Sequence, residues 1–217
     1  MDQFLAQLPI FRALSPGARE ETFSHFMLRC HEAGELIFEE GAEADAVYLL
    51  RTGLVKAVKY SPRTEPSTME IIVPGGLFGM VAVLDRKPYP VSAVPFSRSE
   101  VYRIPQALFG ELLRQRATFA EQVFRHMGEH LRHSQVMRSL HQESVEKRTA
   151  YMLWMLSERL GREFRVTRED IAEMVGTTLE TAIRTLIDLR GRKLISSGWK
   201  RIGVIDPAGL KALSGVE

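Results

Sequence analysis

VTREDIAEMVGTTLETAIRTLIDLR, from Val166 to Arg190, is the stretch that decides how the chain is read. Ile171, Met174 and Val175 fall three and four residues apart, the spacing of one helix face. Thr167 stands where an N-cap belongs, with Asp170 three residues on, close to a capping box. Gly176 supplies a tight turn. Thr177 or Thr178 then caps a second helix whose apolar positions are Leu179, Ala182, Ile183, Leu186 and Leu189. Two short helices joined through a glycine turn form a helix-turn-helix. On the second, Glu180 and Arg184 stand at i and i+4 and leave the same exposed side. An arginine can grip O6 and N7 of guanine with two hydrogen bonds, and a glutamate can accept from the N4 amine of cytosine. Taken alone, such a pair is as readily a surface salt bridge, so the surrounding sequence carries the weight.

Downstream, LISS (Leu194 to Ser197) and RIGVID (Arg201 to Asp206) read as a strand pair turning around Gly198 to Lys200, with Leu194, Ile195, Ile202, Val204 and Ile205 as inward residues. A basic hairpin after a helix-turn-helix is a wing, and its Lys200 and Arg201 are placed to touch phosphate, a contact that positions without reading sequence. Pro207 starts a short terminal helix. Arginines and lysines outnumber carboxylates between residues 159 and 201 and crowd toward its end, the electrostatic footprint of a phosphate-binding surface. The candidate DNA contacts are Arg168, Thr177, Thr178, Leu179, Glu180, Thr181, Arg184, Lys200 and Arg201.

Upstream, residues 144–160 form an amphipathic helix with Tyr151, Leu153, Trp154, Leu156 and Leu160 as its bulky positions. From about Gln106 to Gln142 the sequence is helical and free of proline. At about 100° per residue, Phe119, His126, His130, His133, Met137 and Leu140 share one stripe, with Val123, Phe124, Met127 and Leu131 on an adjacent apolar flank. A long helix with two usable faces suits a piece that packs on its own domain and on a partner chain, which predicts a homodimer. The candidate dimer residues are Phe119, Val123, His126, Met127, His130, His133, Met137 and Leu140. HMGEH, residues 126–130, also fits the H-x-x-E-H pattern of inverted zinc peptidases, but those enzymes need a further carboxylate ligand and a larger scaffold. The histidines are read first as hydrogen-bonded fillers of a helix–helix interface, and haem or metal ligation is the alternative.

Between His31 and about Tyr102, glycines punctuate the short runs ELIFEE, AVYLLRTG, LVKAVKY, MEIIVPGG, VSAVPF and EVYRIP. These predict strands of a small barrel or roll, with Ser61 to Ser67 as a hairpin loop. Residues 1–30 predict short helices, one opened by Ser15 and Pro16 with Phe23, Phe26 and Met27 on its apolar face. The single cysteine, Cys30, excludes an internal disulfide and an iron–sulfur cluster held by this chain alone. No apolar run reaches membrane-spanning length, and the N-terminus lacks a signal-peptide pattern, so a cytoplasmic protein that does not engage membranes is expected.

In order and in motif, the chain resembles the Crp/Fnr family of bacterial transcription regulators. The glycine-punctuated roll, PGGLFG at Pro74 to Gly79, PVSAV at Pro90 to Val94, the long helix and the winged helix-turn-helix follow the family's sequence of parts. LETAIR, Leu179 to Arg184, is similar to the family's recognition helix, whose Glu and Arg contact a G·C pair. The resemblance implies an α+β protein: a β-roll sensor domain of double-stranded, jelly-roll-like form over residues 1–112, a dimerisation helix over 113–143 and a winged helix-turn-helix over 144–217. It implies a non-enzymatic homodimer on near-palindromic double-stranded DNA, with RNA polymerase as a partner. Two departures bear on the effector. Members that bind cyclic AMP carry Glu where this chain has Met80 and Arg where it has Val91, so cyclic AMP is not the expected effector and the cofactor is left unknown. The effector pocket implied by the resemblance comprises Phe78, Gly79, Met80, Val91, Ser92, His130, His133 and Ser134. Leu179 and Ile183 also depart from both well-known branches, so the half-site is expected to share only the central G·C. The competing class is a ligand-binding module acting on a partner protein, which the basic winged segment disfavours.

Overall fold

The structure, a computed structural model, describes residues 2–12, 14–61 and 64–216. It divides into two compact units, one ending at Leu131 and the other beginning at Arg132.

The first unit opens with α1 (Gln3–Gln7), α2 (Pro9–Arg12) and α3 (Pro16–Ser24). The Ser15 side chain accepts from the Ala18 N–H and Pro16 takes the first helical position, as the sequence predicts. There follow β1 (Met27–His31), β2 (Ala46–Thr52), β3 (Val55–Ser61), β4 (Thr64–Ile72), β5 (Leu77–Phe78), α4 (Met80–Asp85), β6 (Ser92–Pro95), β7 (Ser99–Pro105), α5 (Gln106–Gln115) and α6 (Ala117–Leu140), whose residues from Arg132 on belong to the second unit. The strands make two antiparallel sheets, β1-β7-β2-β5 and β4-β3-β6, whose inner faces share one apolar cluster. This is the roll that the glycine spacing predicts.

Four details differ from the sequence expectation. Residues 27–31 form a strand, not the end of a helix. Phe26 turns inward against Phe11, Phe23 and Tyr102, Met27 is exposed, and β1 pairs with β7 from Met27↔Arg103 to His31↔Ser99. ELIFEE gives only a bridge from Phe38 to Ala93, because its glutamates leave just a short apolar centre to bury. The loop expected over Ser61 to Ser67 is shorter: β3 and β4 extend to a Ser61↔Thr64 pair, and Pro62 and Arg63 lie outside the described residues. The long helix breaks at Arg116, whose backbone is extended at φ −128° and ψ 90°. The break brings Phe109 and Phe119, on successive helices, edge to face at 5.7 Å.

The second unit contains α7 (Val145–Leu160), β8 (Glu163–Phe164), α8 (Arg168–Val175), α9 (Leu179–Gly191), β9 (Ile195–Gly198), β10 (Arg201–Val204) and α10 (Pro207–Ser214). Leu153, Leu156, Ile171, Ala182, Leu189, Ile195 and Leu210 are fully buried, so the helices and the β8-β10-β9 sheet share a core. Ile205, predicted to point inward, is 54% exposed because β10 and its alternation end at Val204.

α9 ends in a Schellman motif: the Leu194 N–H donates to the Leu189 carbonyl and the Lys193 N–H to that of Arg190. Lys193 takes the left-handed position, φ 58°, that favours glycine. A side chain there costs about 1 kcal/mol. Lys193→Gly should therefore stabilise the second unit by about 1 kcal/mol, read as a higher denaturant midpoint at unchanged slope.

Candidate nucleic-acid interface

The capping box at the start of α8 is complete. The Asp170 N–H donates to Thr167 Oγ1 at 3.0 Å, and the Thr167 N–H donates to Asp170 Oδ2 at 2.8 Å. Gly176, at φ 64°, ends α8, and the Thr177 N–H returns to the Ala172 carbonyl at 2.9 Å. Thr178, not Thr177, caps α9, its hydroxyl accepting from the Thr181 N–H at 3.3 Å. Ala182, Leu186 and Leu189 face the core, while Leu179 and Ile183 are half-buried.

This anchoring leaves Glu180 and Arg184 side by side in water. Arg184 Nη2 donates to Thr181 Oγ1 at 3.2 Å. Glu180 is held below the usual carboxylate range by its own backbone N–H, the Thr178 hydroxyl and the Arg184 charge. The pair is thus ionised, with an acceptor and a forked donor directed outward. One turn further lies Ile187, 53% exposed on the same face. Sequence periodicity misses it, because an apolar residue on a helix reads as core. Arg168 is exposed in the first turn of α8.

The wing has the register Arg201↔Gly198 and Val204↔Ile195, so Trp199 and Lys200 form its tip. Lys200 is left-handed at φ 52° and its Nζ lies 4.8 Å from the centre of the Trp199 ring. Arg201 pairs with Glu163 at 3.2 Å, within the sheet, which leaves Lys200 as the more available phosphate contact of the two.

The residues expected to form an effector pocket are occupied in other ways. Phe38 and Tyr89 stack with centroids 4.0 Å apart, and Tyr48 and Phe78 stack at 5.5 Å. The Tyr89 hydroxyl donates to the Ala46 carbonyl at 2.6 Å, and burial pushes its pKa upward. These rings cover Gly79: a Cβ there would lie 3.1 Å from Tyr89 and 3.4 Å from Phe38. Met80 is buried, Val91 packs against the same core, and Ser92 is buried with its Oγ accepting from the Glu40 N–H at 2.9 Å. His133 and Ser134 belong to the second unit.

The histidine stripe is likewise used within the chain. Phe119 and Val123 are buried in the first unit's core, with Met127 packed against it. Phe119 and Val123 are therefore not available to a partner, contrary to their place among the candidate dimer residues, whereas Met127 is half-buried. His126 bonds to the Leu77 backbone, His130 Nδ1 lies 2.8 Å from Glu70 Oε1, and His133 Nδ1 lies 3.1 Å from the Tyr151 hydroxyl. Leu140 is buried. Phe124 and Leu131, by contrast, are 71% and 59% exposed. Among the described residues, no group of three or more His, Cys, Asp or Glu side chains could hold a metal ion, and no helix is long and apolar enough to cross a membrane.

A closed roll followed by a helix-turn-helix with a basic wing defines a DNA-binding regulator, and comparison with known proteins agrees. Residues 28–116 match the family model of the cyclic nucleotide-binding domain, and residues 147–213 match that of the Crp-like helix-turn-helix domain. The chain is 26% identical over 208 residues to the cyclic AMP receptor protein of Thermus thermophilus, covering 95% of this chain and 96% of that one. It is 29% identical over 191 residues to the transcriptional activator protein Anr of Pseudomonas protegens, covering 84% of this chain and 78% of that one. The solved structure of FixK2 from Bradyrhizobium japonicum shares the fold, with a TM-score of 0.79 at 21% identity over 88% of this chain and 98% of that one. The chain belongs to the Crp/Fnr family of transcription regulators.

The first domain's name implies a cyclic nucleotide, and the residues present do not fit one. A ribose hydroxyl would meet the Met80 thioether instead of a carboxylate. Where the resemblance puts a cyclic phosphate stand uncharged Val91 and Ser92, whose hydroxyl accepts from the Glu40 N–H and has a single proton to donate in place of a cation, with aromatic rings over Gly79.

His126 and His130, one turn apart, have opposite titrations. Burial pushes His126 below the ordinary histidine value, whereas the Glu70 hydrogen bond raises His130 above it. The His130–Glu70 pair therefore contributes stability that is full below about pH 6.5 and is lost as pH rises through the raised folded-state value. Neutral His126 has the opposite sign: its contribution is present above about pH 6.5 and lost as pH falls. Proton NMR should show the His130 ring titrating above, and the His126 ring below, an unstructured histidine. The reverse order would contradict the assigned contacts.

Proposed function

We propose that the protein is a homodimeric, sequence-specific transcription regulator that acts in the cytoplasm, binds a near-palindromic duplex and responds to an effector other than cyclic AMP. The observation that carries it is the exposed Glu180–Arg184 pair on a helix whose other face is locked into the core. The Arg184 fork meets guanine O6 and N7 while Glu180 accepts from the N4 amine of cytosine. Arg168 and Lys200 hold phosphates, and the Thr177, Thr178 and Thr181 hydroxyls lie at the mouth of α9, where a backbone phosphate gains from the helix N-terminus. Leu179 and Ile183, both partly accessible, supply apolar contact suited to a thymine methyl. Two-fold symmetry sets two such helices about one DNA turn apart. RNA polymerase is the partner through which the bound dimer changes transcription. The sensor, dimerisation and DNA-binding roles fall to residues 1–112, 113–143 and 144–217. Peptide hydrolysis by HMGEH is disfavoured because His126 and His130 are bonded to Leu77 and Glu70.

For the dimer seam, Phe124 and Leu131 are the apolar residues of α6 left in water, and their spacing of one heptad sets them on one side of the helix. Phe124→Asp should give a monomer by sedimentation with an unchanged far-ultraviolet spectrum, whereas a dimer of wild-type affinity would move the seam elsewhere.

Arg184→Ala should cost about 1–3 kcal/mol of specific binding and relax preference at one base pair of each half-site. Lys200→Ala should weaken binding evenly across sequences and flatten the dependence on salt. Competition titrations on a duplex selected by the wild-type protein read both, and undiminished specificity in Arg184→Ala would overturn the proposal.

A further inference from the structure

Trp199 is the most exposed large apolar side chain among the described residues, at 87%. It does not lie on a loose loop. Ile195, Ile202 and Val204 are buried at the base of the β9–β10 hairpin, so the ring stands at the tip of an anchored ribbon. Only Arg192, Lys193 and Leu194 separate the end of α9 from β9, so the ribbon is mounted directly on the C-terminal end of the reading helix. A large ring held in water gains nothing for the free chain beyond its contact with Lys200. At the tip Lys200 lies against the ring and Arg201 opens the returning strand, while Lys193 and Arg190 carry charge at the foot of the ribbon. An aromatic ring with a lysine against it, at the tip of a ribbon carried by the reading helix, fits a polyanion with apolar walls.

We propose that Trp199 is a DNA-contact residue. Its indole packs on the deoxyribose wall of the minor groove that flanks the half-site and favours A·T pairs there. This rests on the DNA-binding reading above. With α9 in a major groove, the next groove along the duplex is a minor one, and apolar side chains at the ends of such mounts pack between its sugars and base edges. The preference follows from the chemistry of the ring. Indole Nε1–H is a donor without acceptor capacity. Adenine N3 and thymine O2 accept from it, whereas the guanine N2 amine presents a competing donor. Lys200, beside the ring, supplies the phosphate contact that seats it.

The test uses the full-length chain and a palindromic duplex that it selects from a random pool. In a Trp154→Phe background Trp199 is the sole tryptophan, and its emission should shift to the blue and fall in intensity on adding duplex. Trp199→Ala should weaken binding about five- to tenfold. Replacing flanking A·T pairs by G·C should weaken the wild type but leave Trp199→Ala unaffected. Trp199→Phe, which keeps the ring and loses the N–H, should retain most of the affinity and lose the A·T preference. Equal affinity of Trp199→Ala for the selected duplex, with unchanged Trp199 emission, overturns the wing contact and leaves the DNA-binding reading intact. A pool from which the wild type selects nothing overturns both.

Discussion

The reading surface depends on one guanidinium. Arg148, on α7, donates through Nη2 to the Gly176 carbonyl at 3.3 Å, the residue on which the chain turns from α8 into α9. Its Nη1 donates to the carbonyls of Glu143 and His141 just beyond the end of α6. His141 and Glu143 lie between α6 and α7, and Gly176 between α8 and α9, so one planar cation ties two interhelical connections together. The arrangement leaves Arg148 Nε buried without a partner, a cost that the bonds to charged nitrogen offset. Because the fork is planar and rigid, the turn is held in direction as well as in place.

From that turn the exposed face of α9 follows. Thr178 and the capping box set where each helix begins, the Schellman motif sets where α9 ends, and buried Ala182, Leu186 and Leu189 fix its rotation. Glu180 and Arg184 are outward because every competing orientation would bury a charge. The roll obeys an opposite rule. Its interior is made of Phe38, Tyr48, Phe78, Met80 and Tyr89, and the Tyr89 hydroxyl is spent on the protein itself, donating to the Ala46 carbonyl and accepting from the Ala46 N–H. The fold of a nucleotide-binding domain is kept while its lining is that of a core.

Much of this was legible in the sequence. The helix-turn-helix, its caps, the wing and the roll announce themselves through periodicity and turn residues, which are local signals. What escaped was set by tertiary contact. Nothing local distinguishes Met27 on a strand from Met27 on a helix; β7 decides it by offering a free edge. The histidine stripe was read as one surface because helical projection shows which residues share a face and not what lies opposite. Leu77, Glu70 and Tyr151 claim its members one by one. Ile187 and Trp199 were missed for a related reason: an apolar residue is assumed to be inside until the structure shows it in water.

Among the described residues, the non-glycine positions at positive φ are Arg86, Lys193 and Lys200, and all three are basic. Lys193 stands at the foot of the wing and Lys200 at its tip. A left-handed residue other than glycine stores strain, and here the strain accompanies a positive charge carried at a helix end and at a hairpin tip. Relieving it with glycine would firm the domain and also strip cations from the surface that faces the phosphates. The second unit thus has a built-in ceiling: stabilising it at these positions weakens its attraction for nucleic acid. A sequence chosen for thermal robustness alone would drift away from the one chosen for binding.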